Sequence, residues 1–406
     1  MQKISYKPLF TLPVIVAALG YFVDVYDPLV FNIVRVPSLT ELGLNEEQIS
    51  KIGSRILNFQ QAGLLIGGIF WGILADKRGR LSVLFGSIIT FSIANIACGF
   101  VQNPEMYAWL RFIAGLGLAG ELGAGITLVS EILPKHLRGY GSSIIAGVGM
   151  AGAVVAYQTV SFFDWRTTYF VGGGLGFALL LLKISVLESS IYTKTKEGNT
   201  TKGNFLSLFS NSILLKKYLK CLGMGLPTYF VIGLLGTFGN EFGAALGIDE
   251  EIKSGRCVMY VFIGSVIGDL VSGPFSHLIH SRKKAIGTMV FISLIACTFY
   301  LTGNIKTASA FYNTCILLGF SIGFIPLFLQ VTSEQFGTNI RATATSTVAN
   351  FVRATTLITL PVYQNLKGSL GVLHSALAIG IVYFTVTFAS IYFTEETIDK
   401  ELDFVE

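Results

Sequence analysis

The chain has 406 residues, of which 52% are hydrophobic and only 13% charged, and its mean hydropathy is +0.65. Soluble domains average about 25% charged residues, so composition excludes a soluble globular enzyme and points to a polypeptide that crosses a membrane repeatedly. The net charge of +5 fits the lysine and arginine excess of cytoplasmic loops and gives no reason to invoke nucleic acid.

The first apolar run, 10–36, is too long for the core of a signal peptide and lacks a small-residue cleavage pattern, so it reads as a transmembrane helix. Further runs long enough to span a hydrocarbon core of about 30 Å fall at 52–74, 81–101, 107–132, 140–163 and 166–187. A second set falls at 219–246, 256–280, 284–303, 308–332, 342–365 and 371–394. The expectation is an all-α membrane protein of twelve transmembrane helices in two pseudo-symmetric six-helix bundles, 1–187 and 219–394. A polar linker rich in lysine, 188–218, joins them, and a tail, 395–406, follows. Lys77, Arg78, Arg80, Lys135, Arg138, Arg282, Lys283 and Lys284 fall on the linker side, whereas Glu41, Glu105, Asp164 and the run Asp249 to Glu251 fall opposite. The positive-inside rule then places both termini in the cytoplasm and the chain in the cell's inner membrane.

The halves echo each other. Glu131 to Arg138 (EILPKHLR) and Glu334 to Arg341 (EQFGTNIR) keep one Glu-to-Arg spacing, each at the exit of the fourth helix of its half. Parallel six-helix repeats place a binding site near the midplane between them. In the first half Gly68 and Gly72, four apart, permit close helix approach, and Asp76 and Arg80 follow.

Charged residues within apolar spans carry the functional signal, because each costs roughly 2.5–3.5 kcal/mol in lipid unless it faces protein or water. Asp24 and Asp27 are three apart and share a helix face. Arg111 runs the opposite way on the fourth span, at a depth that allows it to pair with Asp27. A carboxylate moving between an arginine and a desolvated setting can take up and release a proton. A static Asp–Arg pair is the plain alternative. Glu121 lies ten residues beyond Arg111, roughly 15 Å deeper, and is either a proton site or a glutamate satisfied by a neighbouring hydroxyl. The four histidines lie in loops or at helix ends, so a carboxylate is the expected carrier. Arg353, mid-span on the eleventh segment, needs a carboxylate, supplied either by an organic anion or by Asp269. Tyr21, Asn58, Gln61, Gln158, Asn240 and Asn350 are the further candidate substrate contacts. The scattered cysteines, lone acids and histidines lack the spacing of a metal cluster or a nucleophile, so no cofactor, metal or enzymatic chemistry is expected.

The segment GGIFWGILADKRGR, Gly67 to Arg80, resembles the signature loop between the second and third helices of the major facilitator superfamily. The fourth span and its exit, RFIAGLGLAGELGAGITLVSEILPKHLRG, resemble the metabolite:proton symporter branch, which holds proline/betaine, oxoglutarate and shikimate permeases. YFVDVYDP, Tyr21 to Pro28, resembles that branch's F-x-E-x-Y-D, with Asp24 in place of the glutamate. Ser190 replaces a usual proline, and His277 stands where an acid is usual in the second-half copy of the loop. The resemblance implies a monomeric secondary transporter importing a small organic anion or zwitterion with protons. It also implies a cytoplasmic gate of Gly72, Asp76, Arg80, Glu131, Arg138, Glu334 and Arg341. An exporter or facilitator of the same fold is the alternative. A transport-fold sensor has no signalling domain to support it.

Overall fold

A computed structural model describes residues 6–183, 202–303 and 305–406, and they are helical almost throughout. The part of the expected linker at 188–201, with Lys194 and Lys196, lies outside the described residues. In chain order the helices are α1 Leu12–Glu41, α2 Glu46–Arg78, α3 Arg80–Cys98, α4 Pro104–Leu118, α5 Glu121–Ile132, α6 Lys135–Phe162 and α7 Trp165–Lys183. After a single turn at Ser207–Ser210 come α8 Ser212–Phe230, a π-helical stretch Val231–Gly236, α9 Gly239–Ala245, α10 Ser254–Leu278, α11 Arg282–Thr302 and α12 Ala308–Ser321. The last are α13 Ile325–Gln335, α14 Arg341–Ala354 and α15 Thr356–Phe393. Among the described residues nine helical stretches are long and apolar enough to cross a membrane. The longest, Arg341–Phe393, is not one rod. Its backbone leaves helical geometry at Gly371, where φ is 76°, a value that glycine adopts without a Cβ penalty.

Several boundaries differ from the hydropathy reading for local reasons. Helix α8 starts at Ser212, inside the expected linker, because the Asn211 side chain accepts from the Ile213 N–H and caps it. The fourth span is two helices, broken at Ala119–Gly120. Carbonyls freed near that break are not lost. The Trp71 indole donates to the Leu116 carbonyl at 2.6 Å and the Asn350 amide to the Ala119 carbonyl at 3.0 Å, as a chain in lipid requires.

Helices α1–α7 pack mainly on one another, as do α8–α15, and the two halves meet along two seams, α2 with α14 and α6 with α10. Small residues allow both. A Cβ added at Gly72 would sit 2.9 Å from the Thr343 Cα, and one at Gly273 would overlap the Gly139 carbonyl. These contacts lie at the basic end of the molecule, the end with Lys77, Arg80, Arg138 and Arg282. At the acidic end, Glu41 bonds Trp165 and Arg166, and Glu105 bonds Arg55, within the first half.

A wedge at Gly273 tests this closure. Overpacking costs about 1–3 kcal/mol, enough to move a closed–open balance roughly 5- to 150-fold. Gly273→Val is expected to speed maleimide labelling of a cysteine placed at buried Ser143 by that order. The five native cysteines are all buried and give a low background.

Candidate functional site

Helix α1 supplies three side chains, and they part company. Asp27 is fully buried inside the first half. The Arg111 guanidinium donates to both its oxygens, at 2.8 and 2.6 Å, and the Gln60 amide adds a third bond at 3.2 Å. Arg111 also reaches the Asn95 carbonyl oxygen and lies against the rings of Phe31 and Tyr169. Five helices thus converge on one pair, and no face of the Asp27 carboxylate is open.

Asp24 instead faces the second half. Arg353 of α14 donates to its two oxygens from Nη1 and Nη2, each at 3.1 Å, and its Nε donates to the Tyr229 hydroxyl at 3.0 Å. Of the two expected partners of Arg353, Asp269 is therefore corrected: Asp24 occupies the fork in this conformation. The two acids share a face in the sequence, but a step of three residues still turns the helix by about 60° from register. That turn sends one carboxylate into the first half and the other across the gap. The Arg353 side chain is 11% exposed and Asp24 2% exposed, so the pair is almost wholly enclosed between the halves.

Other candidates fall in different settings. Glu121 accepts from the Ser87 hydroxyl and points an oxygen at Gly20, at the N-terminus of α5, where a helix dipole favours negative charge. Tyr21 is buried with its hydroxyl at Met150. Asn350 spends its amide on the Ala119 and Ser346 carbonyls, joining the halves rather than lining an open face. Asn240 is drawn to the acidic-end turn, where it accepts from the Ser254 hydroxyl at 2.7 Å, so it is corrected from a midplane contact to a turn-forming residue. Asn58 and Gln158 are exposed and Gln61 half-buried. Tyr229 carries no sequence signal of its role, and Gln60 reads only as a hydrogen-bonding residue of the second span, since nothing in the sequence links it to Asp27.

The basic end is locked by charge. Asp76 ends α2 and accepts from the Ala342 and Thr343 N–H groups, at 3.1 and 2.8 Å, and from the Thr343 hydroxyl. A carboxylate at the N-terminus of α14 satisfies orphan donors and meets the positive end of the helix dipole. Glu131 accepts from Arg80 and from Arg341, each at 2.9 Å, which ties α5 to the other half. Glu131 of the first copy of the Glu-to-Arg motif thus pairs with Arg341 of the second copy and not with Arg138 of its own. Glu334 pairs with Arg282 at 3.3 Å, and His277 lies against the ring of Tyr140.

The tail 394–406 straps both halves. Its carbonyls accept from Arg138 at Lys400 and from Arg341 and Thr338 at Leu402, and Glu401 pairs with Lys135. Glu396 accepts from the Ser281 hydroxyl and the Arg282 N–H at the start of α11. Burial pushes its carboxyl up, but the Ser281 hydroxyl and the N–H groups of Arg282, Thr397 and Lys283 outweigh this and hold it below the usual carboxylate range. With a folded pKa depressed, the contribution is present at neutral pH and is lost only as acid reaches that low folded value.

The chain matches the profile of the Major Facilitator Superfamily over residues 14–359. It belongs to that superfamily. It is similar to the sialic acid transporter NanX of Escherichia coli (strain K12), 25% identical over 344 residues, covering 82% of each chain. It is also similar to a gentisate transporter of Corynebacterium glutamicum (strain ATCC 13032), 26% identical over 341 residues, covering 79% of this chain and 73% of that one. In fold it resembles the proton:xylose symporter XylE bound to 6-bromo-6-deoxy-D-glucose, with a TM-score of 0.77, 17% identity and 97% of both chains covered. The protein is a multi-pass membrane transporter, not an enzyme.

Two outcomes follow from the site. Arg353→Gln strands a buried Asp24 and is expected to cost about 3–5 kcal/mol, read as a lower unfolding midpoint in detergent. Asp24→Asn combined with it should recover most of the loss. Truncation after Thr394 should leave the fold intact while speeding labelling of a cysteine at Ser143, because Arg138 and Arg341 lose carbonyl acceptors that hold the halves together.

Proposed function

We propose that this transporter imports a small organic anion together with protons, by alternating access of two six-helix bundles that cross the inner membrane twelve times. On this reading both termini and the basic end are cytoplasmic, and the conformation described is closed to the cytoplasm. The division at 1–187, 188–218, 219–394 and 395–406 follows, with the bundles rocking about the site between them. Gly72, Asp76, Arg80, Glu131, Arg138, Glu334 and Arg341 form the cytoplasmic gate. The protein acts as a monomer.

The Asp24–Arg353 pair carries the proposal. A guanidinium fork holding a carboxylate through two parallel bonds is the geometry that also recognises an organic acid. An entering carboxylate displaces Asp24 from Arg353. Asp24, left without its cation in a desolvated site, then takes up a proton. Substrate binding and protonation are thereby linked at one ion pair between the bundles. The named cargoes of NanX and of the gentisate transporter are organic acids, which favours the same class here. Asp27 and Arg111 hold the first bundle in shape, and Glu121 remains the second acid to test within it.

Uptake by reconstituted protein would be measured with gentisate, sialic acid, short dicarboxylates and betaine as probes. A carboxylate probe should accumulate under an inward proton gradient. Arg353→Lys keeps the charge but loses the fork, and should weaken apparent affinity at least roughly tenfold, about 1.4 kcal/mol. Asp24→Asn should abolish uphill accumulation and retain exchange. Uptake of betaine alone, or unchanged carboxylate uptake in Arg353→Lys, would sink the proposal.

A further inference from the structure

Helix α10 carries a polar face that the ion pair above does not use. Ser265, Asp269, Ser272 and Ser276 recur every three to four residues and are all fully buried. The face lies along the α6–α10 seam. The Ser272 and Ser143 hydroxyls are 3.3 Å apart across it, and the Gly273 N–H donates to the Ser143 hydroxyl at 2.8 Å.

Asp269 is the acid of that face. One carboxylate oxygen receives only a long bond from the Ser265 hydroxyl, at 3.4 Å, and the other has no partner. The remaining elements bring no cation to it. From α1 comes Tyr21, within electrostatic reach but with its hydroxyl turned to Met150. The Asp24–Arg353 pair beyond Tyr21 is satisfied in itself. Helix α12 presents the backbone of Ile316 and Phe320 to Gly264 and Gly268. Toward the basic end, Arg282 of α11 is paired with Glu334 of α13, and His277 lies against Tyr140 of α6. A bare carboxylate in such a place is costly, and a group so placed holds a proton instead. The unpartnered oxygen is the atom that would carry it.

We infer that Asp269 is a second proton-binding site, protonated while the basic end is closed and emptied into that side when α6 and α10 part. The seam explains the release. Separation of the serine-lined faces admits water, which solvates the carboxylate and accepts the proton. This inference rests on the proton-coupled reading for its place in transport, and adds a proton to the one that Asp24 takes.

The test needs no substrate. Infrared difference spectra of the reconstituted full-length protein, in light and heavy water at neutral pH, report the carbonyl stretch of protonated carboxyls. A deuterium-sensitive band is expected in the parent and in Asp24→Asn, absent in Asp269→Asn, and shifted but retained in Asp269→Glu. The last variant separates loss of the group from loss of the fold. In Gly273→Val, which wedges the seam, the band should fall at neutral pH and return on acidification. A band that persists in Asp269→Asn overturns the site, and one indifferent to the wedge overturns its release by opening. Failure of proton-driven gentisate or sialic acid uptake in the parent would instead remove the coupling, leaving the spectra to decide Asp269 alone.

Discussion

A buried charge must find a partner, and three buried acids of this chain find one in the other half. Asp76 meets the N-terminus of α14, Glu131 meets Arg341, and Asp24 meets Arg353. In hydrocarbon or dry protein neither partner has water as an alternative, so separation of the halves exposes each group to a cost of several kcal/mol unless water or a ligand replaces the partner. Attraction between halves is therefore conditional. It holds while the basic end stays dry and is offset as soon as that end floods.

That condition turns a rigid scaffold into a two-state device. Within the first half, Asp27 is enclosed by Arg111 and Gln60 and has no open face. Such a site fixes helices relative to one another. Between the halves the contacts include glycine against backbone, serine against serine, and buried ion pairs. Apolar side chains also cross the seams: Leu270 packs on Gly147, and Val129 and Met150 of the first half share one buried cluster with Leu327 and Phe328 of the second, so parting the halves opens apolar packing as well. The tail adds a tether whose carbonyl acceptors bind arginines of both halves at once.

Much of this was legible in the chain. The spacing of apolar runs and the loop charges gave the helical layout. The glycines at 68 and 72 with Asp76 and Arg80 announced a close helix crossing, and the depths of Asp27 and Arg111 allowed their pairing. Less legible was the break at Ala119–Gly120, since hydropathy does not report a lost backbone bond that a side chain 231 residues away repairs. The position of Arg353 mid-span calls for a carboxylate, but the choice among Asp24, Asp269 and a ligand depends on helix rotation and on which faces meet.

The sequence by itself determined composition, membrane crossing, the internal echo of the halves and the inventory of charges that lipid would not tolerate unpaired. These follow from local transfer costs and from helical periodicity, which each segment carries alone. Tertiary structure decided the pairing: Asp24 across the gap and Asp27 within, Glu131 shared by Arg80 and Arg341, Asp269 left with a serine. Those assignments depend on the relative rotation and register of helices far apart in the chain, and a difference of one residue, or 100° of helix, would exchange every partner.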